Sequence, residues 1–136
     1  MSLVRTLLAD RDAPPVPRPQ ALREIKRYID AHLDDAGLTP ERIAAAHHIS
    51  RRRLYTLFEA ESSGVREWIR ERRLERCRRD LRDAALLHAT VTTIAMRWGF
   101  VDASHFSHCF REAYGMPPRD YRAAAILHSA TSALHT

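Results

Sequence analysis

Apolar positions along the chain recur at helical, not strand, spacing. Leu22, Ile25, Ile29 and Leu33, with Tyr28 beside them, mark a packing helix over 21–33 that stops near Gly37. Thr39-Pro40-Glu41 is a helix start: a capping residue, a proline at the first helical position and an acid at the positive dipole end. Ile43, Ala44 and His47 follow at i, i+1 and i+4. After Ile49, Ser50 caps a helix with Leu54, Leu57 and Phe58 on one face. Val65, Trp68, Ile69, Leu74, Cys77 and Leu81 trace one continuous helix over 65–83. Ile94, Ala95 and Trp98 repeat the i, i+1, i+4 pattern, and Gly99 and Phe100 lead to Asp102, another capping type. Phe106, Cys109, Phe110 and Ala113 then fall at i, i+3, i+4 and i+7. Pro118 opens a last helix with Tyr121 turned inward, and Leu127–Thr136, lacking a period, is expected to fray. Alternating β-branched runs are absent, so the expected class is all-α.

Two stretches of this pattern are copies of one unit. Ile43-Ala44 and His47 match Ile94-Ala95 and Trp98 at an offset of 51. Leu54 and Phe58 match Phe106 and Phe110 at 52, so the second turn is one residue longer. Gly64 matches Gly115 at 51 again. His48 stands where the second copy has Gly99, which predicts that the two turns differ in detail. A small helix, a tight turn and an aromatic helix make a helix-turn-helix unit, and here it occurs twice. The helix between the copies is about 28 Å long at ~1.5 Å per residue, close to the ~34 Å of one DNA turn. The expected organisation is a tail and linker (1–20), a first unit (21–63), the connecting helix (64–84) and a second unit with a tail (85–136).

The N-terminal segment changes the picture little. Leu3, Val4, Leu7 and Leu8 form a short apolar stripe. Pro14, Pro15, Pro17 and Pro19 then favour an extended spacer of the interdomain kind. That spacer favours a piece of a longer protein over a stand-alone one. Charge changes it more. The net charge is +5, and Arg51 to Arg82 holds 11 Arg against 6 acids, which equals the whole excess. A basic segment suits a polyanion, and the arginine fork suits phosphates and guanine edges. The bland reading, a solvated helix laced with Glu–Arg pairs, partly fits Glu67 to Arg79. Cys77 and Cys109 form no CxxC pair, and no signal peptide or membrane-length apolar run is present, so the expected setting is cytoplasmic.

With Leu54 and Phe58 inward, the opposite face of the first aromatic helix holds Arg52, Tyr55, Thr56 and Glu59. With Phe106 and Phe110 inward, the second presents Ser104, Ser107, His108 and Arg111. A recognition helix reads base edges with its early residues. Arg52 can take guanine bidentately, and Tyr55 or Thr56 can meet a thymine methyl or a phosphate. Ser50 and the free N–H groups behind it can hold a phosphate.

Ile94-Ala95, Trp98-Gly99-Phe100, Asp102, Ser104 to His108, Phe110, Tyr114-Gly115, Pro118 and Tyr121-Arg122 together resemble the DNA-binding domain of the AraC/XylS family of bacterial transcription regulators. The resemblance covers roughly Leu22 to Arg122. It implies a seven-helix bundle with two helix-turn-helix subdomains joined by a long connecting helix, binding double-stranded promoter DNA, most often as an activator. It implies base contacts from Arg52, Tyr55, Thr56, Ser104, Ser107 and His108. Backbone contacts would come from Ser50, Arg51, Arg53, His105 and Arg111. The family usually has Arg or Lys where this chain has His108, so the first unit is expected to carry more of the affinity. RNA polymerase is an expected partner, and an effector ligand only where an upstream domain exists.

Other chemistries find less support. His105, His108 and Cys109 share a helix, but Cys109 faces inward and a fourth ligand is missing, so no metal is expected. No nucleophile–base order, phosphate-cradling loop or paired carboxylates point to an enzyme or a cofactor. The polar residues of Arg66–Arg82 circle the helix too widely for a membrane surface. The alternative is a basic helical module that binds a protein, such as RNA polymerase, without reading DNA.

Overall fold

The structure, a computed structural model, describes residues 17–134. Within them the chain forms seven α-helices and no strand. They are α1 (Arg18–Ala31), α2 (Pro40–Ala46), α3 (Arg51–Phe58), α4 (Val65–Arg82), α5 (Val91–Arg97), α6 (Ala103–Tyr114) and α7 (Pro118–Leu134), with a 3-10 turn at Ala84–Leu86. The apolar stripe Leu3 to Leu8 and Pro14 and Pro15 lie outside the described residues.

The starts of four helices follow from single side chains. Thr39 Oγ1 accepts from the Arg42 N–H at 3.2 Å, and Ser50 Oγ from the Arg53 N–H at 3.0 Å. Thr90 Oγ1 accepts from the Thr93 N–H at 3.0 Å. Asp102 Oδ1 accepts from the Ser104 and His105 N–H groups at 2.8 and 3.1 Å. Each such cap is worth about 1 kcal/mol.

Two apolar cores result. Ile25, Ile29, Leu33, Ile43, Leu54, Leu57 and Phe58 close the first around Val65 and Ile69 of α4. Ile94, Ala95, Phe106, Cys109 and Phe110 close the second around Leu74, Cys77 and Leu81, further along α4. Phe110 meets Tyr114 and Tyr121 edge-on, with ring centroids 4.7 and 5.5 Å apart. One helix thus threads both cores, and the Trp98 ring packs against each of them.

Four features differ from the sequence expectation. Helix α1 begins at Arg18, inside the segment read as linker, because Pro19 occupies an early helical position where its missing N–H costs nothing. Helix α7 continues to Leu134, and its last turns were expected to fray. Alanines at 123 to 125, 130 and 133 favour helix intrinsically, and an exposed helix has no apolar period to display. The two turns, expected to differ at His48, are alike: His48 adopts φ +55° and Gly99 φ +90°, both left-handed. Ile49 N–H donates to Ala44 O and Phe100 N–H to Ala95 O, the same bond in each copy. The extra residue of the second turn is therefore Val101, which is 82% exposed. The paired glycines, in contrast, play different parts. Gly115 ends α6 with φ +80°, whereas Gly64 precedes α4 in extended backbone.

Candidate nucleic-acid interface

The turns aim α3 and α6 so that their apolar faces fill the cores and their early polar residues face out. On α3, Ser50, Arg51, Arg52, Arg53 and Tyr55 are exposed, while Thr56 is only half-buried. On α6, Ser104, His105, Ser107, His108 and Arg111 are all exposed. Every residue expected on a reading face therefore reaches solvent, Thr56 least.

Their freedom differs. Among the described residues, no acceptor pairs with the guanidinium groups of Arg52, Arg53 or Arg111. Arg51 Nη1 lies 3.1 Å from Glu41 Oε1, an exposed and solvent-screened pair easily exchanged for a phosphate. The Ser50 hydroxyl oxygen caps α3 but keeps its own proton to donate. Thr56 Oγ1 donates to Arg52 O at 3.0 Å, so its hydroxyl has only acceptor capacity left. His108 Nε2 sits 3.5 Å from Glu112 Oε2 one turn on, both exposed. His105 leans back, with Nε2 3.5 Å from Cys109 Sγ and its ring near Phe100.

The thiols are not reactive centres. Burial pushes Cys77 up to about 12 and raises Cys109 as well. Among the described residues no group of three His, Cys, Asp or Glu is placed to hold a metal ion. No helix there is long and apolar enough to cross a membrane.

Sequence reading missed the groups that hold these faces in place. Trp98 Nε1 donates to Asp80 Oδ2 at 2.7 Å, and Asp80 is a buried acid. The spacing carried a signal: Asp80 is three residues from Cys77, on the inward face of α4, and a buried indole N–H needs an acceptor. Arg73 Nε and Nη2 donate to Leu33 O and Asp35 O. Arg122 donates to Ala89 O and Leu86 O, each at 2.6 Å, pinning the 3-10 turn to α7. Arg18, in the expected linker, reaches Thr56 O on α3 at 2.5 Å. These pairs lie 18 to 40 residues apart, beyond any local periodicity.

Comparison with known proteins agrees with this geometry. Residues 43–124 match a family described as a helix-turn-helix domain. The chain is similar to the transcriptional activator NphR of Rhodococcus sp., 41% identical over 105 residues, which are 77% of this chain and 30% of that protein. It spans about a third of the length of the curated relatives it matches. Its fold is similar to a probable AraC family transcriptional regulator from Rhodopseudomonas palustris, with TM-score 0.70 and 27% identity over 78% of this chain and 97% of that one. It is also similar to the DNA-binding domain of AdpA, solved in complex with a target DNA, with TM-score 0.67 and 27% identity over 76% of this chain and 90% of that one. Because the matched span runs from α2 into α7 and takes in both turn-linked helix pairs, the chain belongs to the AraC/XylS family of helix-turn-helix regulators.

Proposed function

We propose that the chain binds double-stranded promoter DNA sequence-specifically, as a bacterial transcription regulator of the activating kind, with α3 and α6 in successive major-groove segments. One observation carries the reading: two helices present exposed polar starts and are mounted on a single helix shared by both cores. At 18 residues α4 spans about 27 Å, near the ~34 Å of a DNA turn. The DNA bound to AdpA, a protein of similar fold, supports the same use of this one.

In this reading Arg52 takes a guanine edge, and Tyr55 and the Thr56 methyl meet thymine methyls. Ser104, Ser107 and His108 read the second segment. Ser50, Arg51, Arg53, His105 and Arg111 hold backbone phosphates. RNA polymerase is the protein partner, met by the basic surface left over from DNA. An effector acts only through an upstream domain, and the working compartment is the cytoplasm.

Selection of duplexes from a random pool tests the proposal and yields the site. Arg52→Ala is expected to weaken the selected duplex by about 1–3 kcal/mol and to relax preference at one base pair. An equal loss on all sequences would move Arg52 to the backbone contacts. Failure to enrich any duplex would sink the DNA reading in favour of a protein-binding module.

A further inference from the structure

We infer that Arg73 is the positioning residue that fixes the angle and separation between the two reading helices, and so the spacing of DNA half-sites the chain accepts. The inference rests on the DNA-binding reading above. Its basis is where one guanidinium sits. Val65 and Ile69 of α4 are buried in the first core, and Leu74, Cys77 and Leu81 in the second. Arg73 lies where the helix passes from one to the other, and its side chain is half-buried.

Toward the first unit, Nε donates to Leu33 O at 3.1 Å and Nη2 to Asp35 O at 2.7 Å. That α1–α2 loop is tied down by contacts of its own. Leu33 and Leu38 are buried, and Asp35 accepts from the Gly37 N–H and pairs with Arg42 at 2.7 Å. Toward the second unit, the same guanidinium lies against Gly99. A Cβ placed on Gly99 would fall 2.7 Å from the Arg73 Cζ and Nε and 2.8 Å from Nη2. Gly99 is the left-handed residue of the turn that aims α6. One planar cation therefore touches a fixed loop of the first unit and the steering turn of the second. Trp98, adjacent in the chain, packs on both cores and is held by Asp80.

Arg70 of α4 also reaches Cys109 of α6, but it touches neither the α1–α2 loop nor the Gly99 turn, and two further polar ties stay within one unit. Arg72 pairs with Asp30 of α1, and Arg122 with the turn before α5. A flat fork with several donors can bond two carbonyls while its face packs on a glycine; an ammonium cannot. Removal of the fork thus leaves each core whole and loosens the joint between them.

The test uses the duplex selected by the wild-type chain, the same duplex with one base pair inserted between half-sites, and each half-site alone. Arg73→Met is expected to narrow the preference for native over inserted spacing about tenfold, the scale of coupling through a shared contact. Base preferences within each half-site and affinity for one half-site stay as in the wild type. Unchanged spacing preference, or equal losses on both duplexes, overturns the inference.

A second readout needs no DNA. Spin labels on Glu59→Cys and Glu112→Cys, with the buried Cys77 and Cys109 unlabelled, report the distance between α3 and α6. The distribution is expected to broaden in Arg73→Met at unchanged helicity, and an unchanged width overturns the inference even if no duplex is ever selected. Should Arg73→Met lose its fold, Arg73→Lys takes its place in both measurements. Wild-type width and spacing preference in the lysine variant would equally overturn the inference.

Discussion

His47 is the residue at which stability meets pH. Its Nε2 is buried without a hydrogen-bond partner, and the ring stands edge-on to Tyr28. Burial lowers its pKa from the ordinary 6.5, and the nearby Glu24 carboxylate opposes the shift only in part. The unfolded chain then binds this proton more readily than the folded one. The neutral ring's contribution is complete above pH 6.5 and is lost as pH falls from there through the lower folded value. Melting temperature should therefore drop between pH 7 and pH 5 more steeply in the wild type than in His47→Gln. Parallel curves would show that His47 is as solvated folded as unfolded. The same residue marks what was legible. Its i+4 place after Ile43 put it beside the core, but nothing in the spacing revealed that its outer nitrogen lacks a partner. The reading residues were more legible, since 100° per residue suffices to turn Arg52 or Ser107 outward. Thr56 is the exception, for it depends on Arg18, which lies 38 residues away and docks on its carbonyl.

At the scale of elements, the caps made the fold readable. Thr39, Ser50 and Asp102 all bond the N–H groups they should, so those helix starts followed from one residue each, whereas the Thr90 cap of α5 went unread. Extent was less legible, because α7 stays helical past Leu127, where the apolar period has already run out and only the intrinsic preference of its alanines speaks for helix. The turns give a sharper lesson. His48 and Gly99 adopt the same left-handed backbone, so a non-glycine residue hid an equivalence. The cost to His48 is on the order of 1–2 kcal/mol. At Gly99 a side chain would suffer both that strain and collision with Arg73. Gly99→Ala should lose about 1–3 kcal/mol in denaturant unfolding. Gly64 has extended backbone and nothing within 4 Å of an added Cβ, so Gly64→Ala should lose under ~1 kcal/mol at its capping position. Equal stability of the two variants would mean that Arg73 does not lean on the Gly99 turn.

For the molecule as a whole, the repeat and the charge excess pointed to two units on one rod. The joint between them was hidden, because Arg73 looks like any other arginine in a basic helix. Charge placement now yields a number. The net charge is +5, but several cations are already engaged inside the protein: Arg72 with Asp30, Arg73 and Arg122 with carbonyls. These cannot release counterions from DNA. In the proposed reading the exposed cations at the backbone are Arg51, Arg53 and Arg111, with Arg52 at a base edge. At ~0.9 ion per neutralised phosphate, the plot of log K against log salt for the selected duplex should have a slope near −3. Arg53→Ala and Arg111→Ala should each reduce that slope by about 1 without altering base preference, whereas Arg52→Ala should alter preference and leave most of the slope. A slope near −6 would mean that cations beyond these, such as the exposed Arg66, Arg97 and Arg119, also meet phosphates, and that the proposed contact set is too small.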